Sequence, residues 1–439
     1  MSAEKHVDWF EERVRSAQAA FDRDTFKSLI DRMVSIPSPT GEEKQLATFL
    51  AEFMSSHGLK GEVQDISDSQ ANALGRLASK IKDGPSLLIY GGIDTHIGYG
   101  EDENRWIAVP YPQILQPQAV WNGDEISGLC AENPKGYAAC AVMAAVSIAK
   151  AGIELRGDIT VGLGAGGMPA LSRPGWSNHF IGHGLGALFM LQRGVRPDYC
   201  IFCKPRWSVS WEEVGICIFK IIVKGGISYV GTRHAVADYP NPIPKLPRVI
   251  DALEAWFKTY TKRHARGTIV PQGGLASINS GSSYAPITST GRVELLVDLR
   301  PPPELSPAQV QRELQECLNK IRRDHPDIDT ELELVLAMPG AATPKENWIV
   351  QSMIRAWEAI EQRPHQDPQN FSGYTDASAI RKWGIPTARL GVPPRARPSD
   401  PQDTMPMNRF HVDDAQRLVN VIIRSAIDTC MRPFEETCQ

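Results

Sequence analysis

Two ionisable residues stand at the ends of apolar runs, the position from which a side chain can reach a protected site. Asp94 closes the run Ser86-Leu-Leu-Ile-Tyr-Gly-Gly-Ile-Asp94, with Thr95 and His96 just beyond it. The run reads as a buried strand delivering Asp94 to the carboxyl end of a sheet, where open α/β enzymes hold their chemistry. Lys204 ends a second such run, Pro197-Asp-Tyr-Cys-Ile-Phe-Cys-Lys204. Burial disfavours the charged form of a lysine, and a lysine so placed can act as nucleophile or general base. His96 reads either as a general acid/base or as an ordinary loop histidine. His179 and His183 have the i, i+4 spacing of a helical metal pair, but glycines interrupt and follow them and no carboxylate stands by. Cys200 and Cys203 fall on the predicted Lys204 strand, where positions three apart face opposite ways, so they read as packed thiols.

The elements that position these residues follow from periodicity and its interruptions. Residues 8–35 alternate charged and apolar positions at helical spacing, and Pro37-Ser-Pro-Thr-Gly41 breaks the pattern. Thr40 reads as an N-cap with Glu43 as capping-box partner, opening a second amphipathic helix over about 42–57. A helical run covers 137–150, a strand leads into a turn over 157–169, and a short helix begins at Gly184. From about 214 the pattern changes: strand 216–223, helix 246–260, strand 293–299, and helix 306–322 opened by Ser306 and Pro307. The implied order β-α-β-β-α-β is that of a ferredoxin-like module. A helix over 348–362 and a strand over 384–391 then return to the first pattern.

Composition bounds the partners. A chain of 439 residues is long enough for two domains, and 42% hydrophobic with 22% charged residues is ordinary for a globular protein. The net charge of −4 argues against a nucleic-acid partner. No apolar run approaches the ~20 residues that span a bilayer, and the polar start Met1-Ser-Ala-Glu-Lys-His6 does not read as a signal peptide. Eight cysteines, most of them in apolar runs, point to free thiols and a cytoplasmic setting.

The stretch 86–96 and the segment Gly128-Leu-Cys-Ala-Glu-Asn-Pro-Lys-Gly136 together resemble the di-zinc aminoacylase and carboxypeptidase family, which includes acetylornithine deacetylase and succinyl-diaminopimelate desuccinylase. That family writes these motifs Gly-His-x-Asp-Thr and Gly-Arg-Gly-Ala-x-Asp-x-Lys-Gly. The Ser-x-Thr-Gly-Glu-Glu opening at 38–43 and Phe371-Ser-Gly-Tyr-Thr-Asp-Ala377 match further family patterns. The resemblance covers roughly residues 25–430. It implies a mixed-sheet, aminopeptidase-like α/β catalytic domain made of 1–213 and 326–439. It also implies an inserted ferredoxin-like α+β lid and dimerisation domain at 214–325. The chain departs from the family at its metal ligands: the five expected positions read Gly92, Asn133, Gly166 or Gly167, Lys204, and Thr404 or Met405. Zinc needs three or four His, Cys or carboxylate ligands per ion, so no metal cofactor is expected there.

Several polar groups should still converge on the vacated centre. Asp94, His96, Asn133, Lys204 and Tyr229 are the candidate catalytic residues, and Lys135, Tyr374, Asp376 and Arg300 the candidate substrate-binding ones. Lys204 can alternatively be a counter-ion for Asp94 or Asp376, Tyr229 a packing residue, and Asp94 an orienting one. Three functions are compatible with this: a metal-independent enzyme using acid–base or lysine chemistry on a small carboxylate-bearing or amide-like substrate, a catalytically inactive homologue that binds ligand or partner, and an amidohydrolase with a displaced metal site. A small-molecule substrate and a homodimer are the expected partners, with no nucleic acid and no membrane.

Overall fold

The computed structural model describes residues 3–98, 111–172, 179–237, 239–282, 284–370, 372–395 and 407–437, with side chains from Trp9 onward. The chain forms two compact units. The first comprises 1–211, 343–367 and 375–439; the second comprises 212–342 and 368–374.

The first unit opens with helices α1 (Ala3–Ala19) and α2 (Arg23–Ser35). The helical run read as continuous from 8 to 35 is divided by Asp22, whose carboxylate caps α2 by accepting the Asp24 N–H. Helix α3 (Lys44–Ser56), strands β1 (Lys60–Asp65), β2 (Ala71–Leu77) and β3 (Leu87–Gly92), and the short β4 (Val120–Asn122) and β5 (Glu125–Ser127) follow. Next come α4 (Lys135–Lys150), β6 (Ile159–Gly164), α5 (Leu185–Gln192) and β7 (Tyr199–Cys203).

The second unit contains β8 (Glu212–Glu213), β9 (Ile216–Lys224), α6 (Leu246–His264), β10 (Gln272–Ser280), β11 (Arg292–Arg300), α7 (Pro307–Asp324), β12 (Asp329–Met338) and β13 (Ala341–Ala342). The chain then returns to the first unit with α8 (Trp348–Glu361), α9 (Ala377–Lys382), β14 (Thr387–Leu390), β15 (Arg409–His411) and α10 (Val412–Cys430).

The main sheet of the first unit has the order β1-β2-β6-β3-β7-β14. Strands β6, β3, β7 and β14 run parallel, while β2 is antiparallel to β6 and β1 to β2. Alternation along β3 feeds two cores: Leu87 and Ile89 pack with α2, α3, α4, α8 and α10, whereas Leu88 and Tyr90 pack with α5 and α9. Helix α4 is apolar on every side and buried from Lys135 through Ile148, the pattern of a helix enclosed between layers.

The second unit has a four-stranded antiparallel sheet ordered β10-β11-β9-β12. Val249, Leu253 and Phe257 of α6 and Val310, Leu314, Leu318 and Ile321 of α7 share one core with Phe219, Ile221, Val293 and Leu295 of the sheet. Ser306 and Gln309 form the capping box that starts α7. The element order is the expected β-α-β-β-α-β. Its last strand, β12, pairs with β9 over residues 329–338, so the unit continues to Ala342 and the expected boundary at 325 falls one strand short. No described helix is long and apolar enough to cross a membrane.

Candidate active site

The four parallel strands of the first unit end on one side of the sheet, and the loops leaving them carry its buried polar groups. Asp94, two residues past β3, is fully buried. Its Oδ2 accepts hydrogen bonds from Thr40 Oγ1 and from the Met168 N–H, each at 2.8 Å. Its Oδ1 is buried and receives none from the described residues. A Cβ built on Gly92 would lie 3.7 Å from that oxygen, and one on Gly167 would lie 3.3 Å from it and 2.9 Å from Asp376 Oδ2. Two glycine α-carbons therefore line the space in front of the free oxygen.

Asp376 precedes α9 and is buried. It accepts a 2.7 Å hydrogen bond from Tyr90 Oη. The Tyr90 ring stacks on Phe202 at 4.9 Å, and burial together with Asp376 holds its phenol protonated far above the usual range. Gly164, the register partner of Gly92, makes this geometry possible, since a Cβ there would sit 1.8 Å from Tyr90 Oη.

Lys204 leaves β7, and its Nζ donates to Asn133 Oδ1 at 2.9 Å. Burial pulls the lysine pKa down, and the charges of Asp376 and Asp94 only partly restore it. Arg389, a buried residue of β14 whose guanidinium donates to Pro205 O, adds to the downward pull. His96 lies beside Cys130, with Nδ1 3.4 Å from Sγ, and its buried Nε2 has no partner among the described residues. Burial first, and the Lys204 charge second, lower its pKa to about 4, so the imidazole is neutral at pH 7. Burial pushes the Cys130 thiol up to about 12.

Glu43 belongs to the same group, although the sequence suggested only a capping role. It is fully buried, its Oε1 accepts the Gly41 and Gly166 N–H groups at 3.0 and 2.9 Å, and its Oε2 is unpartnered. Burial and the neighbouring Asp94 charge raise its pKa to about 8. The Thr40–Glu43 capping box does not form. Thr40 gives its hydroxyl proton to Asp94, the Lys44 N–H is taken by Ser69 O, and α3 starts two residues later than expected. The available signal was spacing: Glu43 sits three, four and seven residues before the buried Leu46, Ala47 and Leu50, on the inward face of the helix.

The other expected residues stand on several elements of both units. Lys135 is buried at the start of α4, where its Nζ donates to Ile36 O at 2.8 Å, so it ties α4 to the end of α2. Burial brings its pKa down to about 8. Arg300, Tyr229 and Tyr374 belong to the second unit. Arg300 is held by both oxygens of Asp298, and Tyr229 is 56% exposed beside its bridge to Thr288. His179 is exposed and His183 is buried with φ +63°, neither on a helix, so they do not form a helical pair. Cys200 and Cys203 are free and buried. His411 caps α10 through Nδ1. Thr404, Met405 and Phe371 lie outside the described residues.

A cavity of about 760 Å³ opens beside Asn133, with Tyr137, Trp207, Val392 and Phe410 among its walls and Arg206 at its edge. Among the described residues no group of three His, Cys, Asp or Glu side chains is arranged to hold a metal ion. What the loops bring together is a lysine donating to an asparagine, three buried carboxyl groups and a neutral histidine.

The architecture is that of known peptidases. The aminopeptidase PepT of Bacillus cereus superposes with a TM-score of 0.63 at 15% identity, over 93% of this chain and 99% of that one. Human carnosine dipeptidase 1 gives 0.68 at 12%, over 95% and 99%. A dinuclear metal-binding peptidase of the M20 family from Bacillus subtilis gives 0.61 at 13%, over 94% and 99%. At these identities the likeness establishes the mixed-sheet α/β peptidase fold. No protein-family model matches the chain.

Proposed function

We propose that this chain is a metal-independent enzyme acting on a small amide-like substrate, with the Lys204 ammonium in the electrostatic role that a metal ion plays in the dinuclear peptidase of this fold. The observation that carries the reading is the 2.9 Å hydrogen bond from Lys204 Nζ to Asn133 Oδ1 at the carboxyl end of the sheet. The residues at the expected ligand positions do not suit a zinc pair. Gly92 offers no donor atom, Asn133 turns its oxygen to a lysine, and a cation there would face the Lys204 charge. The first unit retains Asp94 and Asp376 as buried anions that Lys204 balances.

In this reading the Lys204 ammonium takes up negative charge developing on a substrate carbonyl oxygen. His96, neutral at pH 7, accepts a proton from water as the water attacks the carbonyl carbon, and returns it to the departing nitrogen as the C–N bond breaks. The cavity beside Asn133 has the size of a small-molecule site. The names of the fold neighbours, an aminopeptidase and a dipeptidase, agree with cleavage of amide bonds. The lowered lysine pKa favours a second reading, in which the free amine attacks a carbonyl and forms an imine.

Elemental analysis of protein prepared without chelator should find no stoichiometric zinc, manganese or cobalt. One or more ions per chain, lost together with activity on chelation, would refute metal independence. In a screen of dipeptides and N-acyl amino acids, Lys204→Met should lower turnover at least ~100-fold, about 2.7 kcal/mol of transition-state stabilisation, with the chain still folded by circular dichroism at the assay temperature. Borohydride trapping that leaves a reduced adduct on Lys204 would decide for the imine. Normal turnover in Lys204→Met would place the chemistry elsewhere, and no turnover by the wild type on any substrate would favour a binding protein.

We also propose that the second unit supplies a homodimer contact. Strand β10 is an edge strand, and Ile278 on it is exposed, as are Ile227, Tyr284 and Ile287 in the same unit. Exposed edges and apolar patches of this kind are commonly covered by a partner. Sedimentation should give a dimer, with Ile278→Lys shifting it to monomer; a monomeric wild type would end the proposal.

A further inference from the structure

We infer that the space in front of Gly92 and Gly167 receives an N–H of a substrate carboxamide, with Asp94 Oδ1 as the acceptor. This rests on the amide reading above and adds the orientation in which the amide is held. Buried side-chain oxygens are nearly always hydrogen-bonded, so an exception calls for an explanation. Asp94 is fully buried, with two donors on Oδ2 and, among the described residues, none on Oδ1. Thr40 and Met168 fix the plane of the carboxylate, so Oδ1 cannot turn towards another donor without breaking one of those bonds.

The two neighbouring glycines differ in what they reveal. At Gly167 a Cβ would come within 2.9 Å of Asp376 Oδ2, so crowding alone favours glycine. At Gly92 a Cβ would clear every described neighbour by 3.6 Å or more, and no positive φ demands glycine there. Neither packing nor backbone strain requires Gly92 to lack a side chain. What its missing methyl leaves is room beside Asp94 Oδ1.

The charge balance selects the occupant. Asp94 and Asp376 both act on Lys204, and the Arg389 guanidinium is near that lysine, so a further cation would meet two positive charges and a further carboxylate two anions. A neutral carboxamide presents a carbonyl oxygen and an N–H together, matching an ammonium donor and a carboxylate acceptor.

Titration calorimetry on the full chain at pH 7 with benzamide, N,N-dimethylbenzamide, benzoate and benzylamine tests this. Benzamide should bind at least fivefold more tightly than the other three. Gly92→Ala, whose methyl fits the space, should keep the wild-type melting temperature and lose at least fivefold in benzamide affinity. Equal binding of benzamide and its dimethyl derivative, tighter binding of benzylamine or benzoate, no binding of benzamide, or an unchanged affinity in Gly92→Ala would each overturn the inference. Binding is read without turnover, so a failure of the Lys204 mechanism leaves this result standing on its own. In Lys204→Met the preference for benzamide over the dimethyl compound should persist although both bind more weakly.

Discussion

The ion pairs on the second unit's sheet and the buried carboxyls at the carboxyl end of the first unit's sheet hold charge in opposite ways. In the second unit, Lys220 pairs with Glu333 and Arg300 with Asp298, each pair keeping part of its surface in water. In the first, Asp94, Glu43 and Asp376 are all 2% exposed or less, with backbone amides, hydroxyls and Lys204 among their neighbours. Ion pairs in water contribute little and tolerate change. Buried ionisable groups stay only where surrounding structure holds them, and a cluster of them is a candidate functional site.

That contrast can be broken most sharply at Gly164. Gly164→Ala forces a methyl into Tyr90 Oη and should destabilise the protein by on the order of 3 kcal/mol, whereas Gly92→Ala, at the paired position on the next strand, should cost less than ~1 kcal/mol; denaturant unfolding compares the two. Tyr90→Phe removes the donor from buried Asp376 and should cost about 1–3 kcal/mol, with a matching fall in the unfolding midpoint.

Glu43 gives a pH signature. The folded protein keeps its proton to about pH 8, whereas an unfolded chain loses it near 4.5. The unfolded state thus binds fewer protons across that window, and stability falls as pH rises from about 4.5 to 8. Glu43→Gln should flatten this slope in melting curves taken between those limits. A slope as steep as in the wild type would show that another group titrates. The smallest effect belongs to the second unit: Lys220→Ala should change stability by no more than ~0.5 kcal/mol, and a larger loss would erase the distinction between the units.

The strands carrying Asp94 and Lys204 were legible because long apolar runs ending in a charge have few other readings. The second unit was legible because α6, α7, β9 and β11 each have a clean period. Glu43 was not, since a carboxyl at a helix start is ordinarily a cap, and only a distant loop, Gly166, reveals its other task. Tyr90 and Arg389 read as members of buried strands, because their polar ends meet Asp376 and Pro205 far away in sequence. Lys135 matched a motif, but whether it faces a ligand or a neighbouring helix is decided by packing against Ile36.

The discontinuity of the first unit also bears on how the protein is made. Strand β7 waits for its neighbour β14 while more than a hundred intervening residues are synthesised and the second unit, with its own core, emerges. Domains fold largely as units during synthesis, from the N-terminus onward. The second unit can therefore be complete while one side of β7 is still unpaired and Tyr90 has no acceptor, because Asp376 lies 286 residues downstream of it. The nascent first unit must remain open at the carboxyl end of its sheet until Asp376 and β14 have been made, so the surroundings of Tyr90 and Lys204 are completed long after the strands that carry them.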